Sequence, residues 1–188
     1  LFPYRNRAGA VVYFGARRID TLGTGGEKML YPPAERRALL YNIDVACVMQ
    51  RAVLVEGPID ALHVGRHAIG LGGADITLDQ IRELRLAGFR DVVVMLDSDE
   101  AGLAGALKIV ALLVRHPWCV RFARLPFGVK DPGDCSREQL AQTEDAAVRI
   151  TYYDLPAFAG EVGRMIADAR AKKREAAMLA LRAALAAG

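Results

Sequence analysis

The sequence predicts an α/β fold: a parallel, Rossmann-like sheet flanked by helices over residues 49–140. A small mixed α+β basic subdomain precedes it at 1–48, and a helical segment follows at 141–188. Two apolar runs and one rhythm predict this. Val53-Leu54-Val55 and Val92-Val93-Val94-Met95-Leu96 are short, β-branched and unbroken by polar residues, as strands buried on both faces are. Each run ends abruptly in acid, at Glu56 and at Asp97-Ser98-Asp99. From residue 51 to 128, strand-like and helix-like stretches alternate, the pattern of a parallel sheet with crossover helices.

The elements follow in chain order. Asn6 to Gly9 reads as a turn, followed by a strand at Ala10–Gly15. Asp20 to Gly26 is polar and Gly-rich, hence a loop. Pro32-Pro33 forces extended backbone, and a short helix is expected from Ala34 to Leu40. Ala52–Val55 is the first buried strand. Pro58 suits the first turn of a helix running to Val64, and a short strand at His67–Gly70 leads into Gly72-Gly73. Thr77 can cap a helix over Leu78–Ala87, which Gly88 ends. Asp91–Leu96 is the second buried strand, Glu100–Val114 an Ala/Leu-rich helix, and Cys119–Arg124 a further strand before the loop Leu125–Gly128. Beyond Asp134 the chain reads as helical, with one or two Ala-rich helices at 157–187 and a basic patch from Arg170 to Arg174.

Composition bounds the possibilities. At 188 residues and 53% hydrophobic content, the chain suffices for one core plus a small appended subdomain. The net charge of +3 is compatible with nucleic acid without demanding it. Cys47, Cys119 and Cys135 form no C-x-x-C pair, which argues against a zinc site or a disulfide framework and favours a reducing setting. Cys47 and Cys119 read as core residues and Cys135 as incidental. His63, His67 and His116 lack metal-ligand spacing. No apolar stretch approaches the roughly 20 residues needed to cross a bilayer, so no membrane association is expected. Because the chain starts at Leu1 and enters strand-like sequence at once, it reads as a piece of a longer protein.

The acids carry the chemistry. Parallel strands open their C-terminal ends on one edge, where open α/β sheets bind ligands. Glu56, Asp97 and Asp99 would then converge there. Carboxylates crowded together raise each other's pKa unless a cation neutralises them, and Mg²⁺ or Mn²⁺ suits an all-oxygen cluster. Asp60 lies one helical turn beyond Glu56, and strand-like alternation would point Asp97 and Asp99 to one side. Each feature also has a plain structural reading. Glu56 can sit at a helix N-terminus for its dipole, D-x-D can cap the following helix, and Asp131-Pro132-Gly133-Asp134 is a good turn sequence. Arg17, Lys28, Arg36 and Arg37 can hold phosphates, or form a solvated surface.

Val55-Glu56-Gly57-Pro58-Ile59-Asp60 followed by Leu96-Asp97-Ser98-Asp99-Glu100-Ala101-Gly102 resembles the Toprim domain of primases, topoisomerases and certain nucleases. Leu125-Pro126 and Gly128-Val129-Lys130-Asp131-Pro132 narrow the resemblance to bacterial- and phage-type (DnaG-type) DNA primases. Phe2-Pro3-Tyr4, Gly9 to Val12, Phe14 to Arg17, Glu27 to Leu30 and Leu40-Tyr41-Asn42 resemble the basic subdomain preceding Toprim in the RNA-polymerase core of those enzymes. The resemblance implies catalytic roles for Glu56, Asp97 and Asp99, and metal binding by these three with Asp60, Asp131 and Asp134. It implies nucleotide or template contact by Arg17, Lys28 and Arg36. It further implies Mg²⁺ or Mn²⁺, a single-stranded DNA template, ribonucleoside triphosphates, a replicative helicase as partner, and the cytoplasm of a bacterial or phage-infected cell. Two departures stand out. Gly133 replaces the second acid of the usual Asp-Pro-Asp, so one ligand is shifted to Asp134 or lost, and Met29 stands where an aromatic usually follows the lysine. Two other functions use the same domain: a Toprim nuclease, and a non-catalytic module that binds DNA or a helicase. A topoisomerase would need a catalytic tyrosine in a separate large domain.

Overall fold

The computed structural model describes residues 1–18 and 29–187. Lys28 and the Asp20–Gly26 segment, expected to be a loop, lie outside these described residues.

Strands β1 (Phe2–Arg5), β2 (Val11–Arg17) and β3 (Met29–Leu30) form an antiparallel sheet in the order β1-β2-β3. Its inner face carries Tyr4 and Tyr13, both buried, and its outer face exposes Val12 and Phe14. Tyr4 meets Tyr41 edge-on, with ring centroids 5.5 Å apart, and Tyr13 stacks near Tyr31 at 6.4 Å. Aromatic packing thus fixes this sheet to the rest of the molecule. The helix expected over Ala34–Leu40 does not form. Its first half is exposed and bends through turns, including a bond from Leu39 N–H to the Arg36 carbonyl. Only Leu39 and Leu40 at its end pack on the core, and so short a segment gains too little from packing to nucleate a helix. A single helical turn, α1 (Ile43–Ala46), follows Asn42.

The second sheet has five strands: β4 (Arg51–Val55), β5 (Ala68–Gly70), β6 (Asp91–Val94), β7 (Cys119–Phe122) and β8 (Val148–Ile150). Their order is β5-β4-β6-β7-β8, parallel except for the antiparallel edge strand β8. The buried runs behave as their composition dictates. Alternate residues feed two cores: Leu54, Ile69, Val92 and Val94 face one, and Val53, Val55, Val93 and Met95 the other. Helices α3 (Leu78–Ala87), α4 (Glu100–Leu113) and α6 (Leu155–Ala187) pack on the first side. Helices α2 (Pro58–Val64) and α5 (Arg137–Asp145) contribute to the second. The expected boundaries of α2 and α3 hold to the residue. Thr77 caps α3 through its side chain, and Gly88 ends it in the left-handed region at φ 80°.

Several expectations are corrected. β6 stops at Val94, so Asp97 and Asp99 sit on a loop and not on an alternating strand. β8 has no counterpart among the expected elements: three residues with one buried side chain leave almost no pattern. The tail, expected as one or two helices, is one helix, α6, in keeping with that expectation. Cys135 is buried at 3% exposure, whereas Cys47 and Cys119 are only partly covered. The Pro132–Asp134 turn carries Cys135 under α2, where its carbonyl accepts a bond from His63 Nε2 at 2.7 Å or, in the other tautomer, approaches it. Tyr41 closes the outer side of β5 by an antiparallel bridge to Gly70. No helix among the described residues is long and apolar enough to cross a membrane.

Candidate metal centre and nucleotide-facing cleft

Three loops bring the acids to the C-terminal edge of the parallel strands. Glu56 directly follows β4, Asp97 and Asp99 follow β6, and Asp131 and Asp134 lie beyond β7. The loops are tied together. Ser98 N–H donates to the Lys130 carbonyl at 2.8 Å, and Ser98 Oγ donates to the Val129 carbonyl at 2.7 Å. Asp97 N–H approaches Glu56 Oε1 at 3.4 Å. α4 begins hard against this loop. A Cβ on Gly102 would collide with the Asp97 carbonyl, so only glycine lets the helix start there.

The acids differ in what holds them. Asp60 Oδ2 accepts from Gly57 N–H at 3.1 Å, and burial, then the Asp131 charge, hold its carboxyl above the usual range. Glu56 is raised chiefly by burial, with Asp99 and Asp60 adding to it and Lys130 opposing. Asp97 is pushed up to about 7, first by burial and then by the charges of Glu56, Asp60, Asp131 and Asp99. Its Oδ1 is buried without a hydrogen-bond partner among the described residues. Asp99 is the N-cap of α4, accepting from Gly102 N–H at 3.0 Å. The helix-capping reading is therefore true of Asp99, which also lies close enough to raise Asp97. Asp131 caps the short turn before Cys135 by accepting from Asp134 N–H at 3.1 Å. A Cβ on Gly133 would come within 3.1 Å of Asp131 Oδ1 and 3.4 Å of Asp60 Oδ1. Glycine at this position therefore spares the cluster a further crowded side chain, and the following acid, Asp134, is exposed.

Glu56, Asp60, Asp97, Asp131 and Asp134 line one cleft of about 500 Å³ together with Arg17 and Met29 of the three-stranded sheet and with Tyr31, which follows β3. Arg36 is set apart. Its guanidinium lies 4.3 Å from the Tyr31 ring centroid, and it lines an adjoining cavity of about 580 Å³ with Arg37 and Lys108. The two spaces meet at Gly72-Gly73. The histidines serve elsewhere: His67 Nε2 pairs with Glu144 Oε2 at 2.9 Å, and His116 packs on Trp118. Among the described residues, no three acid, histidine or cysteine side chains stand as a ready-made metal cage. The donor set still fits a hard divalent cation. The unpartnered Asp97 oxygen and the mutually repelling carboxylates both lack the positive charge such an ion supplies.

The Toprim-like family matches residues 53–136, which span all three acidic loops. The DNA primase of Deinococcus radiodurans is 30% identical over 161 residues, covering 79% of this chain and 27% of that protein. Among solved structures, the zinc-binding and RNA polymerase domains of Aquifex aeolicus primase superpose with a TM-score of 0.68 at 25% identity, covering 79% of this chain and 40% of that one. A DnaG primase catalytic domain bound to single-stranded DNA matches at 0.66 and 27%, covering 84% of this chain and 54% of that one. Residues 53–136 thus carry a Toprim-like domain, similar to that of DnaG-type primases. It spans about a quarter of the length of the curated primases it matches. Within the Toprim domain, Glu56 and Asp97 stand out in the sequence as acids ending buried strands. Lys130, whose charge opposes the rise at Glu56, enters the sequence reading only as part of a motif. Its signal is its place beside Asp131.

Proposed function

We propose that this chain is the catalytic part of a DNA primase, joining ribonucleotides on a single-stranded DNA template. The observation that carries the proposal is the cleft itself. Acids from three loops line it together with Arg17, and one buried Asp97 oxygen has no partner among the described residues. That arrangement suits phosphoryl transfer, where positioning and charge neutralisation do most of the work.

In this reading Glu56, Asp97 and Asp99 are the catalytic acids, and together with Asp60, Asp131 and Asp134 they would hold Mg²⁺ or Mn²⁺. When bound, such ions neutralise the phosphates and activate the attacking hydroxyl. The chain's own residues do the rest. Glu56, raised by burial, is placed to accept a proton from the 3′-hydroxyl. Arg17 and Arg36, with Lys28 beyond the described residues, orient the nucleotide and the template. The Ser98 bonds to Val129 and Lys130 keep the second and third acidic loops in register. Residues 1–48 serve as the basic subdomain, 49–140 as the Toprim domain and 141–188 as a helical extension. A replicative helicase is the expected partner, and the cytoplasm the expected place of action. Support for the template comes from the similarity to a primase domain solved with single-stranded DNA.

The test is ribonucleotide incorporation on single-stranded DNA with Mg²⁺ or Mn²⁺, comparing the chain with Asp97→Asn. Template-dependent RNA that falls at least a hundredfold in the variant is expected, the loss typical of one essential charged group. Scission of the strand would instead establish a nuclease. Metal-dependent DNA binding without turnover would establish a non-catalytic module.

A further inference from the structure

Helix α6 outruns the domain it packs on. Phe158, Val162, Met165, Ile166 and Ala169 lay its inner face on the core, with Phe158 edge-on to Phe122 at 5.1 Å. Arg170 then pairs with Glu100 at the first turn of α4. The helix therefore runs toward the edge that carries the acids and continues past it, on the order of 25 Å further by helical rise. Every residue from Arg170 to Ala180 is exposed.

The face changes character at that point. Lys172 and Lys173 follow Ala169 by three and four residues, so they continue its inner stripe beyond the core. Arg174 stands beside them. Lys172 lies over the Phe127 ring, 4.0 Å from its centroid. Phe127 is 89% exposed, on the loop that leads to Lys130 and Asp131. A large aromatic ring held out in water, touched only by a lysine over its face, gains little from burial. It is the composition of a single-strand contact, a ring for a base and cations for the flanking phosphates.

We infer that Phe127 and the overhang of α6 form a single-stranded nucleic-acid contact at the rim of the acidic cleft. A base stacks on Phe127 in place of Lys172, and Lys172, Lys173, Arg174 and Lys130 hold the adjacent phosphates. The contact rests on the proposed polymerase reading for its purpose but not for its existence.

The test is fluorescence anisotropy of a labelled oligo-dT with the full chain in EDTA, titrated with salt. It compares wild type, Phe127→Ala and the triple variant Lys172→Gln, Lys173→Gln, Arg174→Gln, with helicity checked by circular dichroism. Phe127→Ala is expected to weaken binding roughly tenfold, in the range for loss of one stacked base. The triple variant is expected to lower the log–log salt slope by about two, since each phosphate no longer neutralised removes about 0.7. Unchanged affinity and slope in folded variants, or no binding by wild type, would overturn the inference. An equal effect of Phe127→Ala on a blunt duplex would also overturn it, since a duplex offers no free base. Variant-sensitive binding in a protein that incorporates no ribonucleotide would sink the polymerase reading and leave this contact standing.

Discussion

The two sheets differ in what surrounds them. The five-stranded sheet is covered on both faces, and its central strands have no exposure at Val53, Leu54, Val92 or Val93. The three-stranded sheet is covered on one face only and leaves Val12 and Phe14 half in water. The acids grow from the first sheet and Arg17 from the second, so the cleft has one wall set in a dense core and another held by a tyrosine cluster. A site that must fix charged groups closely gains from the dense wall.

That contrast can be broken by mutation. Leu54→Ala should cost about 2–5 kcal/mol, whereas Val12→Ala should stay within about 0.5 kcal/mol. Paired denaturant melts read both values, and similar losses would erase the distinction.

A smaller effect tests the electrostatics of the dense wall. The Asp97 carboxyl is raised from 3.8 to about 7 in the folded chain. Folding therefore favours its protonated form, and ionising it costs stability as pH climbs from about 4 to 7. Asp97→Asn removes that cost. In EDTA its unfolding free energy should match wild type near pH 4 and exceed it at pH 8, by about 1–2 kcal/mol once partial exposure is discounted. Added Mg²⁺ should narrow the gap by stabilising wild type alone. A pH-independent difference would mean that the carboxyl titrates normally.

The smallest expected effect concerns the join between the sheets. Arg7 Nε reaches Glu83 Oε2 of α3 at 3.1 Å, with both side chains about a third exposed. Arg7→Ala should cost less than about 1 kcal/mol and leave ribonucleotide incorporation unchanged. A large loss of activity would show that this ion pair sets the width of the cleft.

Legibility in the sequence follows the same divide. Strands buried on both faces write continuous apolar runs, so β4 and β6 and the acids at their ends can be read directly. The half-covered sheet writes weaker patterns, and Arg17, one of several basic residues that can hold phosphates, is singled out only through the resemblance to primase cores. Local signals mislead where packing decides the outcome. Pro32-Pro33 suggests a helix that the exposed segment cannot sustain. Asp99 reads equally as ligand and as cap, and here it caps α4. Cys135 looks incidental because nothing beside it in sequence shows that the Pro132 turn tucks it under α2. Three-residue β8 is defined by pairing with β7, which no local pattern encodes.

The flanks of the five-stranded sheet carry a last consequence. β5 is three residues long and has the Tyr41 bridge along its outer side, while β8 is equally short and places Arg149 in water. Neither flank presents a long row of free amides and carbonyls to another molecule. Strand-to-strand polymerisation, the usual hazard of open sheets, is thereby discouraged at both flanks of this sheet.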